Sequence, residues 1–125
     1  MRLHRLLGTL LGMMLALALS LAHASPAYHR VDKVVKTATG WQVHVLMMSA
    51  PGYNNYSVGI TVGGGRSSLQ QHAQQGSANG TGVAILNLPS GQYRSGQTVR
   101  VISSWRGQGR IHYWGQDSGS LASLP

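Results

Sequence analysis

The chain reads as an all-β protein, a small antiparallel β-sandwich of about six to seven strands, and three observations lead there. Apolar residues recur at every second position through nearly all of the sequence after residue 25, the spacing that gathers them on one face of a strand. Gly, Pro, Asn and Ser cluster between these runs at short intervals, which is turn chemistry. No stretch holds a 3.6-residue spacing long enough to supply the crossover helices that a parallel sheet requires.

The first segment stands apart from that pattern. Arg2 and Arg5 precede the apolar run Leu6 to Leu21 and the triplet Ala22-His23-Ala24. This is the layout of a secretory signal peptide ending in an A-x-A cleavage site. Residues 1–24 are expected to be removed on export to the periplasm or the medium, because the run is short for a membrane span and polar residues follow it. The β-sandwich domain then takes residues 25–116. Residues 117–125, with no sustained pattern, are expected to form a flexible C-terminal tail. About a hundred residues suffice for one self-supporting core. The chain contains no cysteine, so its stability rests on apolar burial and backbone hydrogen bonds rather than on disulfides.

The expected strands follow in order. Val31 to Lys36 comes first. Trp41, Val43, Val45 and Met47 alternate with Gln42, His44, Leu46 and Met48, and Tyr56, Val58, Ile60 and Val62 alternate with small residues. A weaker run covers Arg66 to His72, and the polar tract Gln70 to Gln75 suits an edge strand or a loop. Gly82 to Leu88, Thr98 to Trp105 and Arg110 to Trp114 complete the set. Turns are expected at Ala50-Pro51-Gly52, Gly63-Gly64-Gly65, Gly76 to Gly82, Leu88-Pro89-Ser90-Gly91 and Gly107-Gln108-Gly109.

Charge narrows the function classes. Ten Lys and Arg face two acids, Asp32 and Asp117, and with Arg2 and Arg5 gone the formal charge falls from +8 to +6. Internal ion pairs cannot absorb that excess, so it faces solvent or an anionic partner. Two-carboxylate hydrolysis lacks its pair, since Asp32 and Asp117 lie on opposite ends of the domain in sequence. There is no cysteine nucleophile and no G-x-S-x-G elbow, and Gly63-Gly64-Gly65-Arg66-Ser67 lacks both the leading glycine and the lysine of a phosphate loop. His29, His44, His72 and His112 show no paired ligand spacing, so no metal and no cofactor is expected. These absences point away from an enzyme.

The sharpest site expectation concerns the last hairpin. A three-residue loop Gly107-Gln108-Gly109 pairs Arg106 with Arg110, Ser104 with His112 and Ile102 with Trp114. One face would then carry Arg100, Arg106, Arg110, His112 and Trp114. Guanidinium groups bind phosphate or carboxylate bidentately, and an indole offers a flat surface to a base or sugar ring. The loop Pro51 to Tyr56, with two tyrosines and two amides, is a second possible surface.

Leu88-Pro89-Ser90-Gly91-Gln92-Tyr93, followed by Thr98-Val99-Arg100-Val101, resembles the corner of fibronectin type III and related immunoglobulin-like sandwiches, where a Leu-Pro turn precedes a Tyr and a strand of alternating valines. Here Arg94 to Gln97 intervene between the tyrosine and the strand. The resemblance implies an immunoglobulin-like binding or structural module. Ser90-Gly91-Gln92-Tyr93 is also similar to the Ser-Gly-x-Tyr loop of periplasmic lysozyme inhibitors, which implies an inhibitor or immunity protein that blocks a secreted hydrolase. A +6 chain would be repelled by a basic lysozyme. The expectation is therefore a non-catalytic exported binding module for an anionic polymer (polysaccharide, lipopolysaccharide or nucleic acid) or an acidic protein.

Overall fold

The computed structural model describes residues 26–61 and 70–125. The leader expected at 1–24, the Arg66 end of the weak strand and the turn at Gly63-Gly64-Gly65 lie outside the described residues. Within them the chain forms eight strands: β1 (Tyr28–Thr37), β2 (Gly40–Met48), β3 (Asn55–Thr61), β4 (Gln70–Ser77), β5 (Thr81–Pro89), β6 (Thr98–Gly107), β7 (Arg110–Trp114) and β8 (Leu121–Ser123). The only helical element described is the single 3-10 turn Ser118–Ser120.

All pairings are antiparallel and build two sheets, β1-β2-β5 and β4-β3-β6-β7, with β8 added to β6. The sheets pack face to face as a sandwich. Period-two alternation sends Val43, Val45 and Met47 of β2 inward with Ala84, Leu86 and Leu88 of β5. Tyr56, Val58 and Ile60 of β3 and Val99, Val101 and Trp105 of β6 meet them from the other sheet. The Trp105 indole is wholly enclosed and lies 5.3 Å from the Tyr56 ring. At the usual 25 cal/mol per Å² of apolar area, this interlayer contact is the main stabilising term.

Two bulges interrupt the ladders. Val31 pairs with Val45 and Lys33 with His44, which leaves Asp32 as an extra residue on β1. On β4, His72 and Ala73 both oppose Gly59, and His72 takes φ +56°. The expected polar tract Gln70 to Gln75 is therefore a bulged edge strand.

The C-terminal residues correct the expectation of a flexible tail at 117–125. β8 pairs with the start of β6, and the Gly96 and Leu124 amides bond to the Leu124 and Gln97 carbonyls at 2.7 and 2.9 Å. Ala122 and Leu124 are buried in the core. Three residues are too few to register as a strand by periodicity, so the pairing partner on β6 decides the outcome. The Trp41 indole N–H adds a bond of 2.9 Å to the Pro125 main-chain oxygen.

Because Leu124 fills core volume, Leu124→Ala is expected to cost about 2–4 kcal/mol, read as a lower urea midpoint at unchanged m-value. A truly loose tail would lose nothing.

Candidate functional site

The terminal hairpin departs from its expected register by one residue. Its loop is two residues, Gln108 and Gly109, with φ +52° and +70°, the signs of a type I′ turn. Gly107 consequently pairs with Arg110, Arg106 with Ile111, Trp105 with His112, Ser104 with Tyr113 and Ser103 with Trp114. Gln108 tolerates the left-handed region in a turn whose twist matches the strands. Gly107 is needed for another reason, since a Cβ there would fall 1.5 Å from the Gly52 carbonyl of the Pro51–Gly52 turn. That turn closes with a Tyr53 amide to Ala50 carbonyl bond of 2.8 Å and lies directly on the hairpin.

The one-residue slip splits the expected platform. Arg106 sits on the outer face with Ile111 and Tyr113, whereas Arg110, His112 and Trp114 share the inner side of β7 with Trp105. Arg100 is occupied elsewhere: its Nη1 donates to the carbonyls of Gly115 at 2.7 Å and Asp117 at 3.3 Å, clamping the segment after β7. Burial decides this arrangement. Turning Trp114 and His112 inward continues the apolar face of Trp105 and leaves Ile111 and Tyr113 exposed, at 56% and 36%.

Beside β7 the aromatic rings form a row. Tyr53 and His112 lie 6.3 Å apart, His112 and Trp114 6.2 Å, and Trp114 and Tyr28 of β1 5.6 Å. This row closes the side of the sandwich where β1 and β7 meet. His112 Nε2, Trp114 Nε1 and Trp105 Nε1 are buried without a hydrogen-bond partner among the described residues. His112 and Trp114 are themselves half-buried and line an open pocket of about 230 Å³ with Gly115, Gln116 and Asp117.

A second constellation is a buried polar chain that sequence reasoning missed. His29 of β1 is enclosed between Ser103 of β6, 2.5 Å from Nδ1, and Ser120 of the 3-10 turn, 2.8 Å from Nε2. Ser120 donates its single proton to Asp117 Oδ1 at 2.8 Å. Its oxygen must then accept from His29 Nε2–H, which leaves Nδ1 to accept from the Ser103 hydroxyl. The order hydroxyl, imidazole, hydroxyl, carboxylate has the polarity of a nucleophile and its base. Ser103 and Ser120 are fully buried and His29 is 1% exposed, so no substrate reaches them in this fold. What the chain does is fasten β1, β6 and the C-terminal segment to one another. No spacing rule joins residues 29, 103, 117 and 120.

The third constellation is an open cleft of about 370 Å³ at the far end of the sandwich from the β6–β7 loop. Lys36, at the end of β1, and Arg94, in the β5–β6 connection, both line it together with Ser90 and Ser95, and no Asp or Glu is among its described lining residues. Local hydrogen bonds set each part. The Ser90 amide bonds to the Thr39 carbonyl of the β1–β2 turn at 2.9 Å. Arg94 is tied by its amide to Gln97 Oε1 at 3.0 Å and by its carbonyl to the Gln97 amide at 3.1 Å. Trp41 and Tyr93 form the wall. Burial raises the Tyr93 phenol above its ordinary value, and its hydroxyl donates to Gln71 Oε1 at 3.2 Å on β4. Arg94 is visible in the sequence beside Tyr93, but its nearness to Lys36 depends on the turn at residues 38–39 lying against the β5–β6 connection.

Burial pulls the His29 imidazole down from 6.5 to about 4, outweighing the opposing pull of the Asp117 charge and the Val101 backbone. The unfolded chain takes up this proton already below about pH 6.5, the folded chain only near pH 4. Stability is therefore complete above pH 6.5 and falls as the pH drops through that window, by about 3 kcal/mol in all. Urea titrations from pH 7.5 to 4 are expected to show this slope, and His29→Gln is expected to flatten it; equal slopes in both proteins would contradict the assignment. Comparisons with protein-family models, with curated proteins and with solved structures find no match for this chain.

Proposed function

We propose that this protein is an exported, non-catalytic binding module that recognises an anionic partner, and that the cleft between Lys36 and Arg94 is its recognition site. The observation that carries the reading is that Lys36, Arg94, Ser90 and Ser95 line one cleft, with no Asp or Glu among its described lining residues. Two positive charges brought together without counter-charge repel one another, and an anionic group between them relieves that cost. A guanidinium with neighbouring hydroxyls suits the oxygens of a phosphate, sulfate or uronic acid group. The cleft volume matches a saccharide unit rather than an extended duplex.

Other features support the module without fixing its ligand. Within the described residues the remaining acid, Asp32, sits in the β1 bulge, and Asp117 is engaged by Ser120. The only hydroxyl–imidazole–carboxylate chain described is sealed. The strand order also supports the resemblance to immunoglobulin-like sandwiches: lettered in chain order with β4 as C′, it is A-B-E against C′-C-F-G. The leader-like residues 1–24 support export.

The test is binding to an array of sulfated, phosphorylated and uronic acid glycans at low and physiological salt. Saturable binding that weakens with salt is expected. Lys36→Ala with Arg94→Ala should weaken it by about tenfold or more, since each charge-assisted bond contributes about 1.5–3 kcal/mol, while Arg106→Ala with Arg110→Ala should leave it within about threefold. The opposite ranking would return the site to the hairpin, and no saturable binding would reduce the charge to a solubility device.

A further inference from the structure

The two sheets have four lateral edges, and three of them carry a device against strand addition. β1 is bulged at Asp32 and bears Arg30, Lys33 and Lys36. β4 is broken by its bulge at His72. β7 is five residues long and starts with Arg110. β5 carries none of these. It runs nine residues, Thr81–Pro89, in unbroken register with β2, has no charged residue, and pairs with no other described strand. Its outward side chains are uncharged, and the middle of the row is apolar: Val83 is 57% exposed, stands opposite Leu46, and is followed by the half-buried Ile85, with the polar Thr81 and Asn87 on either side.

We propose that the open edge of β5 pairs antiparallel with β5 of a second copy of this chain, joining two three-stranded sheets into one of six strands. Charge selects this occupant. β5 has no cation to attract an acidic segment, while elsewhere the surface is cationic and repels its own copy. Along β5 two copies meet without a like-charge pair, and the nearest Arg and Lys of that sheet stand on β1, about 10 Å away across β2. Two-fold pairing keeps residues of like parity together, so Val83 and Ile85 of both copies share the outer face and Ala84 and Leu86 the inner one. The antiparallel arrangement would set the two Pro89 ends, each next to a Lys36–Arg94 cleft, at opposite ends of the joined sheet.

Sedimentation equilibrium of the purified protein, from low micromolar concentration upward, tests this directly. A mass rising from one chain to two is expected. Val83→Lys and Asn87→Lys, each on an exposed outward position of β5, should weaken association by about tenfold or more, whereas Ile111→Lys on exposed β7 should not. Since the chain has no cysteine, Ile85→Cys, at the centre of the nine-residue strand and therefore opposite its own copy when the two strands overlap fully, provides a single thiol expected to cross-link the pair under oxidation while Ile111→Cys does not. A monomer at every concentration would overturn the proposal and leave the edge for a foreign strand. A dimer indifferent to both β5 lysines would overturn it as well. Glycan binding by the monomeric variants separates this outcome from the fate of the cleft.

Discussion

His29 is enclosed in the sandwich without a compensating charge in direct contact, and its tolerance there depends on every hydrogen-bonding atom of the ring having a partner. Ser103 belongs to β6 and Ser120 to the turn before β8, so satisfying one imidazole draws three distant segments of chain together. Arg100 reinforces the same closure by holding the Gly115 and Asp117 carbonyls. With no disulfide available, this polar chain and the Ala122 and Leu124 side chains fasten the C-terminal segment. Removing one partner would leave a buried polar group unpaired, which costs more than the bond itself contributes.

The closure also sorts the cations. Arg100 is drawn into it, Arg106 and Arg110 are divided between two faces by the hairpin register, and Lys36 and Arg94 are brought to one cleft by the packing of two connections. A cation count therefore says little about a site until the strands are placed. The aromatic row Tyr53, His112, Trp114 and Tyr28 serves packing at the β1–β7 side, where two sheet edges would otherwise gape.

The strands were legible wherever alternation ran for five or more residues with one face buried, as in Trp41 to Met48 and Thr98 to Trp105. Turns with Pro and Gly were equally plain, because Ala50-Pro51-Gly52 and Gly107-Gln108-Gly109 have few other uses. The hairpin register was not. Two loop lengths compete within Gly107-Gln108-Gly109: local patterning favours the three-residue loop, which puts Trp105 beside Ile111, whereas the observed two-residue loop sets Trp105 opposite His112 and Arg106 opposite Ile111. The choice falls to the inner sheet surface, which accepts Trp114 and His112 beside Trp105 and has no room for a side chain at Gly107. The candidate cleft was half visible at most, as Arg94 beside Tyr93 with nothing to indicate Lys36.

Composition and local pattern thus determined that this chain makes antiparallel strands, that they form two layers without covalent staples, and that its formal charge is positive. These properties depend on neighbours two to four residues apart, which the sequence displays. Only the tertiary structure decided which arginines share a face, that Ser120, Ala122 and Leu124 are buried, that His29 meets Ser103 and Ser120, and that Lys36 and Arg94 line one cleft. Each of those meetings joins residues from separate elements, and it is the burial of the two inner faces against one another that selects among the registers and closures that the local pattern allows equally.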